Sequence, residues 1–352
     1  MKIKMQLLAG FGTILLILIL VSANSYYQLT QETSIEDRLF NIRQPTVITA
    51  MTLENGLELS LASLRGYIIL GNDPTKAALF KKERSLAWQK IDHAFKQLKH
   101  FSKQWTLTAN TERLNKMERL IDEFRSAQQE VEDLAHTNAN IPSYNILLTD
   151  AAPLAAKIIT SITNLIEQES QLKATSKRKK LLKLLADSGG SFALGMANIR
   201  AYLLSGDEQF KTEFFTRLDV NKQSFEKIAA MKRLFSGTQK TAWQNYTENR
   251  EKFALLPEKM FKSRASKDWN LANYYLGVKA GPKSQAIKRI LLKIRQSFDS
   301  LNKNDVKQLE QKASSTELSL IIASVIAVVV GSIIAFYLSK SITSRLSLVV
   351  ER

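Results

Sequence analysis

Two uncharged apolar runs, one near each end, limit what this chain can fold into more than any other feature. The first extends from Met5 to about Val21 and stays uncharged as far as Gln31, and the second, Leu318 to Leu338, carries no charge at all. A helix needs about 20 apolar residues to cross a hydrocarbon core of about 30 Å, and both runs reach that length. The expected layout is a first span over 5–26, a domain outside the membrane over 27–317, and a second span over 318–338. Residues 1–4 and 339–352 then lie on the other side.

A cleaved signal peptide is the rival reading of the first run. Lys2 and Lys4 form a basic leader, and Val21-Ser22-Ala23 resembles a cleavage site. The apolar stretch is longer than a usual signal core, and Tyr26 and Tyr27 sit where an interfacial aromatic belt would, so an uncut anchor is the reading taken. A C-terminal run of Ile, Val and Leu has no such rival. Lys2 and Lys4 precede the first span, Lys340, Arg345 and Arg352 follow the second, and the flanks Ser22 to Asp37 and Ala313 to Glu317 hold no Lys or Arg. By the positive-inside rule both ends are cytoplasmic, which makes a two-pass protein of the inner (cytoplasmic) membrane with a periplasmic, extracytoplasmic domain. The absence of cysteine fits a core that needs no disulfides.

At 45% hydrophobic and 24% charged residues the chain is neither disordered nor of low complexity. Six prolines and thirteen glycines are few for 352 residues, which favours long helices. A formal charge of +17 raises the question of nucleic acid. The charges are spread along solvated helix faces and no helix-turn-helix or RNA-binding signature is present, so no nucleic-acid partner is expected. A basic exterior favours small anions such as carboxylates, or anionic lipid headgroups.

Helical periodicity runs throughout. Leu53, Leu57, Leu61, Leu64 and Ile68 form one apolar stripe, and Ile91, Phe95, Leu98 and Phe101 form another. Ile287, Ile294 and Leu301 keep a seven-residue repeat, with Leu291 and Phe298 between them, as shallow-angle helical bundles require. Turns fall at Gly71-Asn72-Asp73-Pro74-Thr75, Thr106 to Thr111, Ala174 to Lys183, Ser205-Gly206-Asp207 and Ser236-Gly237-Thr238. Asp73 is a candidate N-cap with Pro74 at the first helical position. The basic run Lys177-Arg178-Lys179-Lys180 reads as a solvated bundle tip, with ligand or lipid contact as the minority alternative.

A chain that leaves the membrane and returns needs an even number of reversing helices, and five turns give six: about 27–70, 76–104, 110–173, 181–205, 208–235 and 238–317. Pro142 and Pro153 fall in the third, Pro257 and Pro282 in the sixth and Pro45 in the first, and each should bend its helix. The expected fold is all-α: two stacked four-helix bundles sharing two long helices, flanked by two transmembrane helices.

The sharpest local feature is a repeat. Ser63-Leu64-Arg65-Gly66-Tyr67-Ile68-Ile69-Leu70-Gly71 returns as Asn198-Ile199-Arg200-Ala201-Tyr202-Leu203-Leu204-Ser205-Gly206. Each copy closes a helix before a turn and leads into an aromatic-x-x-Ile element, Trp88 to Ile91 in the first and Phe225 to Ile228 in the second. With this repeat and the six-helix parity, residues 27–317 resemble the helical bimodular (HBM) sensor domain of bacterial methyl-accepting chemotaxis proteins and related transmembrane sensor kinases. Ser339 to Leu346 resembles the opening of a HAMP linker, although Ser344-Arg345-Leu346 lacks the proline that such linkers commonly carry after the arginine.

The resemblance implies a chemoreceptor's N-terminal sensing portion that detects a small organic acid outside the membrane and signals by helix motion into the linker. It also implies a homodimer paired along the first helix, and an output module beyond Arg352. The alternatives are the sensor of a histidine kinase and a membrane-anchored periplasmic interaction protein.

No catalytic constellation is present, and neither an enzyme activity, a metal nor a cofactor is expected. His93 and His100 lie seven apart on one helix without further ligands, and Gly189, Gly190 and Gly195 lack the ending of a phosphate-binding loop and read as relief of helix crowding. Arg65 and Arg200 are the candidate ligand anchors, since each follows an apolar stripe and a guanidinium matches a carboxylate in bidentate fashion. The open alternative is that each caps the carbonyls of its own helix C-terminus. Tyr67 and Tyr202 accompany them as candidate ligand-binding residues, but lie about 200° around the helix, which fits packing better than a shared ligand. Trp269, Tyr274 and Tyr275 could line a distal pocket, though such spacing more often marks core.

Overall fold

Prolines shape the backbone. A computed structural model describes residues 3–350. Lys2 and Arg352, used above for orientation, lie outside the described residues, as do the side chains of Arg345 and Leu346. Three π-helical turns, Leu39–Arg43, Leu147–Ala151 and Leu276–Ala280, each end just before Pro45, Pro153 and Pro282 respectively. In each case the residue before the proline donates its N–H five residues back: Gln44 to Leu39, Ala152 to Leu147 and Gly281 to Leu276. A proline has no N–H and its ring crowds the carbonyl one turn back, and the wider turn accommodates both. The expected bends at Pro45, Pro153 and Pro282 are therefore π turns through which the helix continues.

The described residues are all-α. The helices are α1 (Ile3–Arg38), α2 (Gln44–Leu70), α3 (Pro74–Ser102), α4 (Thr108–Ala135), α5 (Pro142–Ile146) and α6 (Ala152–Ser170). They are followed by α7 (Ser176–Ser205), α8 (Glu208–Ala230), α9 (Gly237–Ala254), α10 (Leu256–Ala265), α11 (Leu271–Tyr275) and α12 (Gly281–Val350). The third and sixth helices expected from sequence are thus interrupted, at 136–141 and at 266–270, and the sixth also turns at Leu255. One side chain serves both interruptions: buried Asn140 donates to the Ala135 carbonyl at the end of α4 and accepts from the Ala272 N–H at the start of α11, each at 2.8 Å.

Helix starts follow local chemistry. Asp73 accepts from Thr75 N–H at 2.8 Å ahead of Pro74, Asp207 accepts from Gln209 N–H, and Ser236 with Gln239 forms a reciprocal capping box.

The chain divides into two units. The first takes the described residues of Met1–Leu61, Glu83–Leu120 and Gln285–Arg352. Within it α2, α3, α4 and α12 form a four-helix bundle with Leu53, Leu57, Ile91, Leu98, Met117, Ile287, Leu291 and Ile294 fully buried. A Cβ on Gly56 would lie 2.8 Å from Ile91, the indole of Trp105 packs 5.2 Å from Phe298, and Arg295 reaches Glu54 at 2.9 Å. In the same unit α1 and α12 pair antiparallel in one register: Ser341 donates to Gln6, Gln28 to Ser319 and Thr316 to Glu32.

The second unit takes Ala62–Lys82 and Ile121–Ser284. Its core is a bundle of α6 to α9, with Ile158, Ile162, Leu185, Ile199, Tyr202, Phe214, Tyr246 and Phe253 buried together. A smaller cluster joins Leu64 and Tyr67 to Val131, Ala135 and Ala272.

Among the described residues three helical stretches are long and apolar enough to cross a membrane: Lys4–Leu70, Pro142–Ser170 and Leu271–Ser344. The apolar side of Pro142–Ser170 supplies Ile158, Ile162 and Leu165 to the second unit's core, whereas the apolar windows of the other two hold almost no buried residue.

Candidate functional site

The repeated element ends a helix twice with the same backbone hydrogen bond. In the first copy the Gly71 N–H donates to the Tyr67 carbonyl at 2.8 Å, and in the second the Gly206 N–H donates to the Tyr202 carbonyl at 2.7 Å. Both tyrosines point inward, Tyr67 with 8% and Tyr202 with 2% of its surface exposed. Arg65 and Arg200 are exposed, and among the described residues neither guanidinium has a hydrogen-bond partner. The inward-facing anchor expected from the apolar stripe is therefore not what forms. The stripe residue Leu64 places Tyr67 within about 60° of its own direction, whereas Arg65 is turned by about 100°.

Nor do these arginines cap their own helices; basic groups from elsewhere in the second unit do so. His136 lies 2.7 Å from the Tyr67 carbonyl oxygen through Nε2, which must carry the proton because a carbonyl can only accept, and its ring meets the Tyr67 ring edge-on at 4.7 Å. Arg264 donates from Nε to the Leu203 carbonyl at 2.8 Å and lays its guanidinium 4.0 Å from the centre of the Trp269 ring. Cations at exposed helix C-termini are favoured by the unpaired carbonyls there. The Tyr202 hydroxyl donates to Glu208 at 3.1 Å, and burial foremost, with this bond, raises the phenol above its ordinary range.

Elsewhere the sequence expectations fare variously. His93 and His100 are exposed, and among the described residues no three metal-ligating side chains come together. Tyr274 is exposed, whereas half-buried Tyr275 packs against the cluster of Leu64, Tyr67 and Ala272, with the Lys279 ammonium 3.6 Å from its ring centre. In the basic run, Lys177, Lys179 and Lys180 are exposed, but Arg178 turns in to Glu169, a buried carboxylate that also accepts from Gln239 at 2.8 Å. Gly189 relieves crowding as expected, since a Cβ there would sit 3.3 Å from Ile162.

One cavity in the second unit combines apolar walls with a cation. It lies among α7, α8 and α9, has a volume of about 70 Å³, and is lined by Phe192, Gly195, Met196, Phe214, Phe253 and Arg250 among others. Asn221, 2% exposed, donates to the Ser188 carbonyl at 2.8 Å, and the Ser188 hydroxyl meets the Tyr246 hydroxyl at 2.7 Å. Arg250 joins this network through Nε, 3.1 Å from Asn221 Oδ1, while its guanidinium carbon sits 4.3 Å from the centre of the Phe225 ring. Both terminal amino groups of Arg250 lack a hydrogen-bond partner among the described residues. Sequence reading missed Arg250 because its orienting partner, Asn221, is 29 positions away on another helix.

The family of the four helix bundle sensory module for signal transduction matches residues 1–181, and the chain belongs to that family. No curated protein and no solved structure matches the chain.

Proposed function

We propose that the chain is the sensing portion of a chemoreceptor-type transmembrane protein, with residues 27–317 outside the membrane and the apolar stretches of α1 and α12 crossing it. The antiparallel pairing of α1 with α12 carries this reading. It joins the two exposed apolar windows into a hairpin and continues outward as polar contacts from Gln28–Ser319 to Arg38–Asp305. A displacement of α12 against α1 in the first unit would be transmitted along that pair, across the bilayer and into a HAMP-type linker beginning near Ser339. The stimulus is a small organic acid, acting through differential affinity for two bundle packings, since only that can shift a two-state equilibrium. The working form is a homodimer, and the chain does signalling rather than catalysis.

Fusing the full chain to a chemotaxis kinase-controlling output and scoring kinase activity against a panel of organic acids tests this. A saturable response to at least one acid is expected. Silence to every acid, with the fusion inserted in the membrane, would overturn the sensory reading.

A further inference from the structure

We propose that the cavity among α7, α8 and α9 binds a monocarboxylate of three or four carbons, with Arg250 taking the carboxylate. The proposal rests on the sensory reading above and gives it a site and a ligand class.

Arg250 is oriented, and its terminal amino groups are open to solvent. Its Nε is engaged by Asn221 and its face by Phe225, which fixes the plane of the guanidinium, and the fork of two terminal amino groups bonds to no other described residue. A carboxylate matches such a fork with two parallel charge-assisted bonds. The remaining wall, Phe192, Met196, Phe214 and Phe253, is apolar. A second carboxylate or a row of hydroxyls would lose its water there without a replacement partner, which selects against dicarboxylates, sugars and phosphate. At roughly 10–15 Å³ per water-sized group, 70 Å³ holds about five or six non-hydrogen atoms, the size of propionate or butyrate. Leu218, 42% exposed, and the exposed Ala254 mark the entry.

Gly195 is a second, independent observation. A Cβ built on it would meet Phe214 at 3.5 Å, an ordinary contact, so packing does not require a glycine at this mid-helix position. Glycine weakens a helix interior relative to alanine. What it does leave is the gap between the helix and the cavity-lining ring of Phe214, which a Cβ would fill.

The full chain in lipid nanodiscs is titrated calorimetrically with acetate, propionate, butyrate, hexanoate, succinate, butyramide and inorganic phosphate. Propionate and butyrate should bind, with butyramide, succinate, hexanoate and phosphate at least tenfold weaker. Arg250→Gln should weaken butyrate at least tenfold. Gly195→Ala should melt no lower than the wild type, and should weaken butyrate several-fold, more than it weakens acetate. Absence of binding by propionate and butyrate, or unchanged butyrate affinity in either variant, overturns the proposal, as does binding of phosphate or butyramide as tight as that of butyrate. If the acids bind as expected while the kinase fusion stays silent to them, the site stands and the sensory reading falls. If the fusion responds to an acid equally well with Arg250→Gln, the sensory reading stands and this site falls.

Discussion

Arg43 meets Asp305 at 2.8 Å with only 8% and 3% of their side chains exposed, making this a buried ion pair in the first unit. Arg38 shares the same carboxylate at 3.0 Å, and Arg43 also donates to the Leu301 carbonyl. Burial, outweighing the attraction of Asp305, pulls the Arg43 guanidinium below its ordinary range, as expected for a charge taken out of water. Arg43 closes the π turn ahead of Pro45, so the pair locks that irregular turn to α12. Removing one partner of such a pair strands the other, at a cost of about 3–5 kcal/mol, whereas a matched apolar pair is close to neutral. Asp305→Ala should therefore lower the melting temperature of the full chain steeply, and Arg43→Met with Asp305→Leu should recover most of the loss. A double variant as unstable as Asp305→Ala would assign the effect to something other than stranded charge.

The two terminator glycines should differ in tolerance. Gly206 has φ of 75°, the left-handed region, where an alanine costs roughly 1–2 kcal/mol, and the atoms that its Cβ would meet belong to the flexible end of Arg264. Gly71 has no such backbone angle, but a Cβ there would lie 2.4 Å from both the Tyr67 carbonyl oxygen and His136 Nε2. Relief must come from displacing the helix end or its histidine cap. Gly71→Ala should destabilise by about 2–3 kcal/mol, more than Gly206→Ala, as read by thermal unfolding. The reverse order would mean that backbone strain, rather than this close approach, fixes the glycines.

What the sequence made legible was local. Asp73 with Pro74 and Ser236 with Gln239 sit within one turn of the groups that they satisfy, so their spacing alone marks a helix start. The stripe of Leu53, Leu57, Leu61 and Leu64 is buried as its period demands. Its direction also indicates Tyr67 and not Arg65 as the next inward residue, which the attraction of an arginine for a carboxylate ligand obscured. The breaks in the third and sixth expected helices depend on Asn140 reaching Ala272, 132 positions away, and the cap on Tyr67 depends on His136, 69 positions away. No periodicity carries such pairings. Arg250 belongs to the same class, being one more basic residue on a polar helix until Asn221 and Phe225 surround it.

Topology gives a direct test of the membrane reading. Reporter fusions at Ala109, at the start of α4, and after Arg352 should report opposite sides of the membrane. The same side for both, or a mature protein beginning near Asn24, would remove the two-span arrangement.

Pairing between copies should follow the exposed face of the first helices. Glu36, Phe40 and Gln44 are exposed, whereas Leu39, Ile42 and Arg43 are buried within the chain's own unit, and the exposed apolar side chains of Phe40, Ile48 and Met51 extend that outer face. Single cysteines at 36, 40 and 44 should crosslink between copies in membranes, and those at 39, 42 and 43 should not. Uniformly low crosslinking along 36–44 would indicate a monomer.

Glu208 should give part of the second unit's stability an acid limit. Lys211 donates to one carboxylate oxygen at 3.0 Å and the Tyr202 hydroxyl to the other at 3.1 Å. The Lys211 bond foremost, joined by that of Tyr202 and opposed by burial, holds the carboxyl below its ordinary value of 4.5. A carboxylate with a depressed folded-state pKa stabilises the fold above its unfolded value and loses that contribution as the pH falls through the folded one. Lys211, raised above 10.5 chiefly by the same bond, contributes at every pH below that value. The window therefore closes on the acid side through Glu208. At pH 7 Glu208→Gln should melt below the wild type, and the gap should shrink as the pH is lowered beyond about 4.5. A gap that stays constant down to pH values at which all carboxylates are protonated would show that charge at Glu208 does not contribute to the fold.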